Sequence, residues 1–223
     1  MKRPLAEFLG AFALVFAGTG AIVIDDVSRG QVTHVGIALT FGLVVMAMIY
    51  TLGDISGAHL NPAVSIGFVL ARRFPARDLP AYLLAQIAGA LAASTTLRLL
   101  FPAHSTLGAT LPAGPAWQSF TLETILTALL MLTILRVSTG AKEKGITAAI
   151  AIGGVIGLEA MFAGPICGAS MNPARSLAPA LLTGRFEHFW IYLLAPTLGA
   201  AIGVYLAALL RDDAAQLSPA PAR

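Results

Sequence analysis

Six apolar stretches, each about as long as the roughly 20-residue helix that crosses the hydrocarbon core of a bilayer, are spread over this chain of 223 residues. They cover residues 5–24, 32–52, 79–100, 117–137, 145–163 and 188–210. The composition agrees with them, because 57% of the residues are hydrophobic and only 11% are charged, far from the balance of soluble proteins. Each stretch must be helical in lipid, where no water is present to pair its backbone groups. The sequence therefore predicts an all-α membrane protein.

The first of these stretches follows Lys2 and Arg3, a pattern that also occurs in cleavable signal peptides. Glu7 lies inside the stretch, and a carboxylate disfavours the apolar core of a signal peptide. We interpret this stretch as a retained first span.

Two shorter apolar stretches, 61–70 and 172–182, both begin with Asn-Pro-Ala and are too short to cross a bilayer. The first belongs to the segment Ser-Gly-Ala-His-Leu-Asn-Pro-Ala-Val-Ser at 56–65. This segment shares six of its ten residues with Cys-Gly-Ala-Ser-Met-Asn-Pro-Ala-Arg-Ser at 167–176. The sequence thus contains an internal repeat centred on the two motifs.

A second match supports the repeat, since Tyr-Leu-Leu-Ala at 82–85 recurs at 192–195, at nearly the same separation. With three spans in each half, the two halves must run in opposite directions across the membrane. The predicted fold is six transmembrane helices plus two re-entrant half-helices in an inverted repeat.

The repeat divides the chain into a first half (1–101), a linker (102–116), a second half (117–210) and a C-terminal tail (211–223). We expect the linker to be external and the tail to be disordered, because the tail has few apolar residues to pack.

The basic residues predict the orientation of the spans. If both termini are cytoplasmic, that side collects nine lysines and arginines: Lys2, Arg3, Arg72, Arg73, Arg77, Arg136, Lys142, Lys144 and Arg211. The other short loops carry little beyond Arg29 and Arg185. By the positive-inside rule we expect cytoplasmic termini.

The Asn-Pro-Ala motifs have the chemistry of a helix start, because Asn is a favoured N-cap and Pro fits the first helical position. In an inverted repeat the two half-helices enter from opposite faces and meet N-terminus to N-terminus, so their positive dipole ends converge. Irregular backbone at this depth is tolerated only where it is buried or lines a water-filled cavity. We expect segments 57–60 and 168–171 to flank a pore.

The doubled motif Asn61-Pro62-Ala63 and Asn172-Pro173-Ala174, its spacing, the Arg175 that follows and the six spans closely resemble the aquaporin family of major intrinsic proteins. The resemblance covers the chain apart from the tail. In the second half it is strongest to the nodulin-26-like branch and its bacterial relatives.

The resemblance implies a role for the motif residues and their neighbours. Asn61 and Asn172 would donate to one water in a single file, whose proton chain is thereby interrupted. A ladder of carbonyl groups would line the file, contributed by Gly57, Ala58, His59, Gly168, Ala169 and Ser170. Glu7 and Glu123 would hold the re-entrant backbone as structural supports.

The resemblance also places a constriction of four residues, by counting from the motifs: Phe41, Ala160, Ala169 and Arg175. Water-selective members usually have His where this chain has Ala160. Glycerol facilitators typically have Asp where Ser176 follows Arg175. We therefore expect a passive channel for water and small neutral solutes, such as glycerol or uncharged metalloid acids, that excludes protons and ions.

The resemblance further implies a homotetramer in the lipid bilayer, without a cofactor, and the bacterial relatives suggest a bacterial inner membrane. The sequence shows no metal-ligand cluster, no nucleophile with its base and no basic run with interleaved aromatic residues. An enzyme, a metal site and a nucleic-acid partner are accordingly not expected. The single cysteine, Cys167, is interpreted as a small packed residue.

Two other functions remain open at this level, a strictly water-selective channel and an inverted-repeat secondary transporter. A transporter normally needs a coupling-ion site, and no span clusters Asp, Glu or His. The pattern leaves His59 as either a vestibule-lining side chain or a proton relay. Glu159 is either solvated or bonded to a loop at the outer mouth, or it contacts solutes.

Overall fold

The computed structural model describes residues 1–138 and 142–210, with side chains of the segment after the gap described from residue 147 onwards. The predicted tail, 211–223, lies outside the described residues, as do the side chains of Lys142, Lys144 and Arg211.

The described residues form eight α-helices and one turn of 3-10 helix at Ala76–Asp78. The α-helices are α1 (Lys2–Val27), α2 (Thr33–Ser56), α3 (Pro62–Leu70), α4 (Leu79–Leu100), α5 (Ala116–Val137), α6 (Lys142–Cys167), α7 (Pro173–Thr183) and α8 (Phe189–Leu209). Six of them, all except α3 and α7, are long and apolar enough to cross a membrane. The predicted six spans and two half-helices are confirmed, with most limits within a few residues of the prediction.

Helix α6 runs past its predicted end at residue 163 and contains Pro165. A proline inside a helix leaves the carbonyl four residues earlier without its usual N–H partner. Here that carbonyl belongs to Met161, and it lies 2.6 Å from Nε2 of His34. A side chain from the preceding half thus supplies the missing hydrogen bond, and the helix continues to Cys167.

The packing of the helices repeats between the halves. Helix α1 packs against α4 as α5 packs against α8, and the half-helix α3 contacts α8 as α7 contacts α4. Helices α2 and α6, which are equivalent in the repeat, pack against each other. This pattern is that of the predicted inverted repeat.

Small residues allow the close crossings, as expected for helices in a bilayer. A Cβ added to Gly89 of α4 would collide with the carbonyl oxygen of Phe8 in α1. At the equivalent crossing, a Cβ on Gly199 of α8 would collide with the carbonyl oxygen of Thr124 in α5. These two glycines bring α4 and α8 onto the helices that carry Glu7 and Glu123.

Candidate functional site

Each half-helix begins directly after its motif asparagine. Oδ1 of Asn61 accepts a hydrogen bond from the Ala63 amide at 2.8 Å, and Pro62 is the first residue of α3. Oδ1 of Asn172 accepts from the Ala174 amide at 3.0 Å, and Pro173 is the first residue of α7. The predicted helix starts are confirmed, with each asparagine as the N-cap.

The two helix starts meet each other. Nδ2 of Asn61 donates to the carbonyl oxygen of Met171 at 2.7 Å, and Nδ2 of Asn172 donates to that of Leu60 at 2.9 Å. An amide nitrogen carries two hydrogens, so each asparagine uses one across the junction and keeps one. The positive ends of both helix dipoles therefore converge at one place.

The segments that lead into the motifs share an unusual backbone. Residues 57, 58 and 60 have positive φ angles, of 90°, 46° and 54°, and the equivalent residues 168, 169 and 171 have 84°, 40° and 51°. Only the first of each triplet is a glycine, and positive φ costs other residues roughly 1–3 kcal/mol each. Such a conformation persists only where neighbouring groups hold it.

Two buried carboxylates hold these segments. Glu7 accepts hydrogen bonds from the amides of His59 at 3.0 Å and Leu60 at 2.7 Å. Glu123 accepts from the amides of Ser170 and Met171, both at 2.7 Å. Both side chains are fully buried, so these bonds offset part of the cost of placing a carboxylate at this depth.

A cavity of about 140 Å³ runs along the junction of the half-helices. Its apolar wall includes two rows of residues spaced four apart, about one helical turn: Phe41, Val45 and Ile49 of α2, and Ala148, Ile152, Ile156 and Ala160 of α6. Its polar wall consists of the re-entrant segments with both motif asparagines. The remaining motif residues, Pro62, Ala63, Pro173 and Ala174, are buried in the first turns of α3 and α7.

Five of the six residues expected in the carbonyl ladder line the cavity, namely Gly57, Ala58, His59, Ala169 and Ser170. Gly168 does not line it. A Cβ added to Gly168 would lie 2.9 Å from Cγ2 of Thr110 in the linker.

The four residues expected at the constriction, Phe41, Ala160, Ala169 and Arg175, all line this cavity, and Cζ of Arg175 lies 5.2 Å from the centroid of the Phe41 ring. Arg175 is 2% exposed, and its Nη1 donates to the carbonyl oxygen of Gly108 at 2.7 Å. Within the described part of the chain no carboxylate lies within ion-pair distance of its guanidinium. The cavity therefore has one fixed cationic group beside two small side chains and an aromatic ring.

His59 is held by its surroundings. Its ring stacks on Phe68 at a centroid distance of 4.5 Å and lies 5.1 Å from the ring of Tyr82. Its Nδ1 is 3.1 Å from Oγ of Ser65. These contacts fix the ring in place, and both interpretations of His59, a vestibule-lining side chain and a proton relay, stay predictions.

Glu159 is 3% exposed, its Oε2 is buried without a hydrogen-bond partner among the described residues, and it is not among the residues that line the cavity. No described loop residue bonds to this carboxylate, so the loop-bonded alternative is wrong for this structure. Solvation and solute contact stay predictions. Glu159 precedes Ala160 by one residue, which turns it about 100° away from the cavity-lining face of α6. Cys167 is fully buried, as expected, with Sγ 3.4 Å from the carbonyl oxygen of Ala163.

Sequence reasoning missed the residues that support the site from outside the motifs. Gly108 belongs to the linker, which was expected only to connect the halves. Gln86 donates through Nε2 to Glu7 at 2.8 Å, and Ser56 donates to the same carboxylate at 2.7 Å. Two signals in the sequence could have identified these side chains. Ser56 belongs to the repeated segment, and Gln86 is a polar residue inside an apolar span.

Metal ligation finds no support in the part of the chain that is described, where no group of three or more His, Cys, Asp or Glu side chains could hold an ion. The site consists of hydrogen-bond donors and acceptors along a narrow apolar wall.

Comparison with known proteins agrees with this geometry. Residues 1–207 match the family model described as "Major intrinsic protein". The chain is 50% identical over 212 residues to the rice protein "Aquaporin NIP1-4" (Oryza sativa subsp. japonica), covering 95% of this chain and 77% of that protein. It is 44% identical to "Nodulin-26" of Glycine max, covering 95% of this chain and 78% of the relative.

A solved structure shares the fold. The X-ray structure of the aquaglyceroporin from Plasmodium falciparum superimposes with a TM-score of 0.83 at 27% identity, covering 97% of this chain and 99% of the other. The family match spans nearly the whole chain, and the fold, the paired motifs and the relatives agree with it. The chain belongs to the major intrinsic protein family.

Proposed function

We propose that this integral, multi-pass membrane protein is a passive channel for water and small uncharged solutes. The observation that carries the proposal is a cavity with one apolar and one polar wall at the junction of two half-helices. Donors and carbonyl groups on one wall replace the hydration of a solute, while the apolar wall keeps binding weak enough for release.

Three features of this cavity disfavour cations and protons. The positive ends of α3 and α7 converge at Asn61 and Asn172 and repel cations. Arg175 adds a fixed positive charge beside Phe41. A water between the two asparagines would accept from both, so its own hydrogens would point outward and the proton chain would be broken.

The proposed solute range includes glycerol and uncharged metalloid acids such as arsenous acid. Ala160 and Ala169 occupy little space, Phe41 gives an apolar wall and Arg175 gives donors for a hydroxyl group. One of the similar proteins is described as an aquaglyceroporin, which agrees with solutes larger than water. A strictly water-selective channel would need a bulkier constriction.

The proposed arrangement in the membrane follows the basic residues. Both termini are cytoplasmic, the halves 1–101 and 117–210 form one pore, and the linker 102–116 is external. A homotetramer is proposed on family resemblance alone. The relatives named above are plant proteins and give no support to a bacterial inner membrane, which stays a prediction from the motif region.

Stopped-flow permeability of proteoliposomes tests the proposal. Wild-type protein should raise the rates for water, glycerol and arsenous acid well above those of empty liposomes. Ala160→Trp fills the cavity and should return all three rates to the level of the empty liposomes. Rates at that level for the wild type, with insertion verified, would overturn the channel, and water conduction alone would overturn the solute range.

A further inference from the structure

Three hydroxyl groups form a chain behind the second re-entrant segment. Oγ1 of Thr110 donates to Oγ of Ser176 at 2.8 Å, and Oγ of Ser176 lies 2.5 Å from Oγ of Ser170. Oγ of Ser170 donates to the carbonyl oxygen of Asn172 at 3.0 Å. A hydroxyl has one hydrogen, so Ser170 spends its own on Asn172 and must accept from Ser176. The chain therefore runs in one direction and starts at Thr110.

Thr110 holds this segment in a second way. Its methyl group packs against Gly168, since a Cβ added to Gly168 would lie only 2.9 Å from Cγ2 of Thr110. Thr110 is 7% exposed. It therefore fixes Gly168 by packing and Ser170 through the hydroxyl chain. Ala169 lies between these two residues and lines the cavity.

The first half builds the same support differently. Oγ of Ser65 donates to the carbonyl oxygen of Asn61 at 3.1 Å, as part of a chain that begins at Gln86. Nε2 of Gln86 donates to Oγ of Ser65 at 2.9 Å. Gln86 extends from α4, in the body of its own half.

The repeat shows why the second half needs another donor. Gln86 follows Tyr-Leu-Leu-Ala at 82–85, and Pro196 follows the same four residues at 192–195. Proline has no side-chain donor, so α8 cannot reach Ser176 as α4 reaches Ser65. Thr110 of the linker takes the place of that donor.

We propose that Thr110 is a positioning residue for the constriction, which sets solute selectivity by fixing Ala169 through Ser176 and Ser170. The proposal rests on the function proposed above, because selectivity presupposes a conducting pore. The linker then does more than join the halves. The carbonyl oxygen of Gly108 positions Arg175, and the hydroxyl group of Thr110 positions Ala169 through Ser176.

The test compares three variants by stopped-flow in proteoliposomes. Thr110→Val removes the hydroxyl and keeps the shape, while Thr110→Ser keeps the hydroxyl. Thr96→Val is the matched control, because Oγ1 of Thr96 donates only to Ala92 of its own helix at 2.9 Å. Losing one buried hydrogen bond should lower the ratio of glycerol to water permeability about three- to tenfold in Thr110→Val. Thr110→Ser should recover most of this loss, and Thr96→Val should keep the wild-type ratio.

A double-mutant cycle shows whether Thr110 acts through Ser176. Ser176→Ala should shift the ratio in the same direction, and the double variant with Thr110→Val should shift it no further than the larger single change. Additive shifts would overturn the proposed route. An unchanged ratio in Thr110→Val would overturn the positioning role itself.

Amide hydrogen exchange separates the two proposals. Thr110→Val should accelerate exchange in the peptide containing residues 168–176, and Thr96→Val should not. If wild-type protein conducts only water, the solute range fails. In that case the role of Thr110 is tested by the water permeability of Thr110→Val and by its amide exchange at residues 168–176. Wild-type values for both measurements would overturn the role.

Discussion

Arg175 lies against the ring of Phe41, with Cζ 5.2 Å from the ring centroid. A guanidinium at this distance from an aromatic face is attracted by the ring quadrupole. The contact orients two of the four residues expected at the constriction relative to each other. The position of the ring in turn depends on α1, because a Cβ added to Gly18 would overlap the ring of Phe41.

Gly18→Ala should therefore change selectivity without altering a residue that lines the cavity. The ring must move, either away from Arg175 or into the opening, and glycerol permeability should change by about threefold or more, since a barrier change under 1 kcal/mol suffices. Gly20→Ala is the control. Its Cβ would lie 3.4 Å from Leu97, an ordinary contact, so its glycerol-to-water ratio should equal that of the wild type.

Replacing either motif asparagine with aspartate should damage the central barrier. Asn61→Asp places a carboxylate oxygen opposite the carbonyl oxygen of Met171, and Asn172→Asp does the same to Leu60. The loss of a buried donor, worth about 1–3 kcal/mol, should lower water permeability roughly five- to hundredfold or admit cations. Correctly inserted variants with wild-type water permeability and wild-type ion exclusion would count against the proposed centre.

The two glutamates should affect folding more than selectivity. Glu7→Gln and Glu123→Gln each replace a carboxylate oxygen with an amide nitrogen, which then faces backbone N–H groups. Leaving such groups unpaired costs about 1–3 kcal/mol. Glu7 accepts hydrogen bonds from four groups, in Ser56, His59, Leu60 and Gln86. Glu123 accepts from the two amides named above. Glu7→Gln should therefore have a lower melting temperature in detergent than Glu123→Gln. Well-folded variants with a new solute preference would show that the carboxylates are not supports.

The identity of residue 160 should decide which solutes pass. Ala160→His adds a ring to one wall of the cavity, and only the larger solutes need that space. Glycerol and arsenous acid permeability should fall at least about tenfold, which corresponds to a barrier increase of about 1.4 kcal/mol. Water permeability should fall about twofold or less, because water is small enough to pass beside the ring. Stopped-flow light scattering measures all three. Equal losses for every solute would mean that residue 160 does not lie at the constriction.

The sequence predicted those parts of the structure that depend on local chemistry and on the repeat. Span lengths follow from hydropathy, and the starts of α3 and α7 follow from the capping of Asn61 and Asn172. The resemblance to the family, by counting from the motifs, named Phe41, Ala160, Ala169 and Arg175, and all four line one cavity.

The remaining features depend on contacts between distant segments. Gly108 and Thr110 lie in an irregular linker with no counterpart in the repeat, so no periodicity places them. The bond between His34 and the carbonyl of Met161 requires the packing of α2 against α6 to be known. Glu159 was expected to be solvated or bonded to a loop, or to contact solutes, and its burial at 3% exposure depends on how α6 packs against its neighbours.

Glycerol flux into proteoliposomes, measured with and without proton and sodium gradients, distinguishes a fixed pore from a gradient-driven carrier. For a fixed pore we expect flux that rises linearly with glycerol concentration, is the same after either gradient is collapsed, and is accompanied by no proton leak beyond that of empty liposomes. Flux that saturates and falls when a gradient is collapsed would contradict it and would identify a secondary transporter.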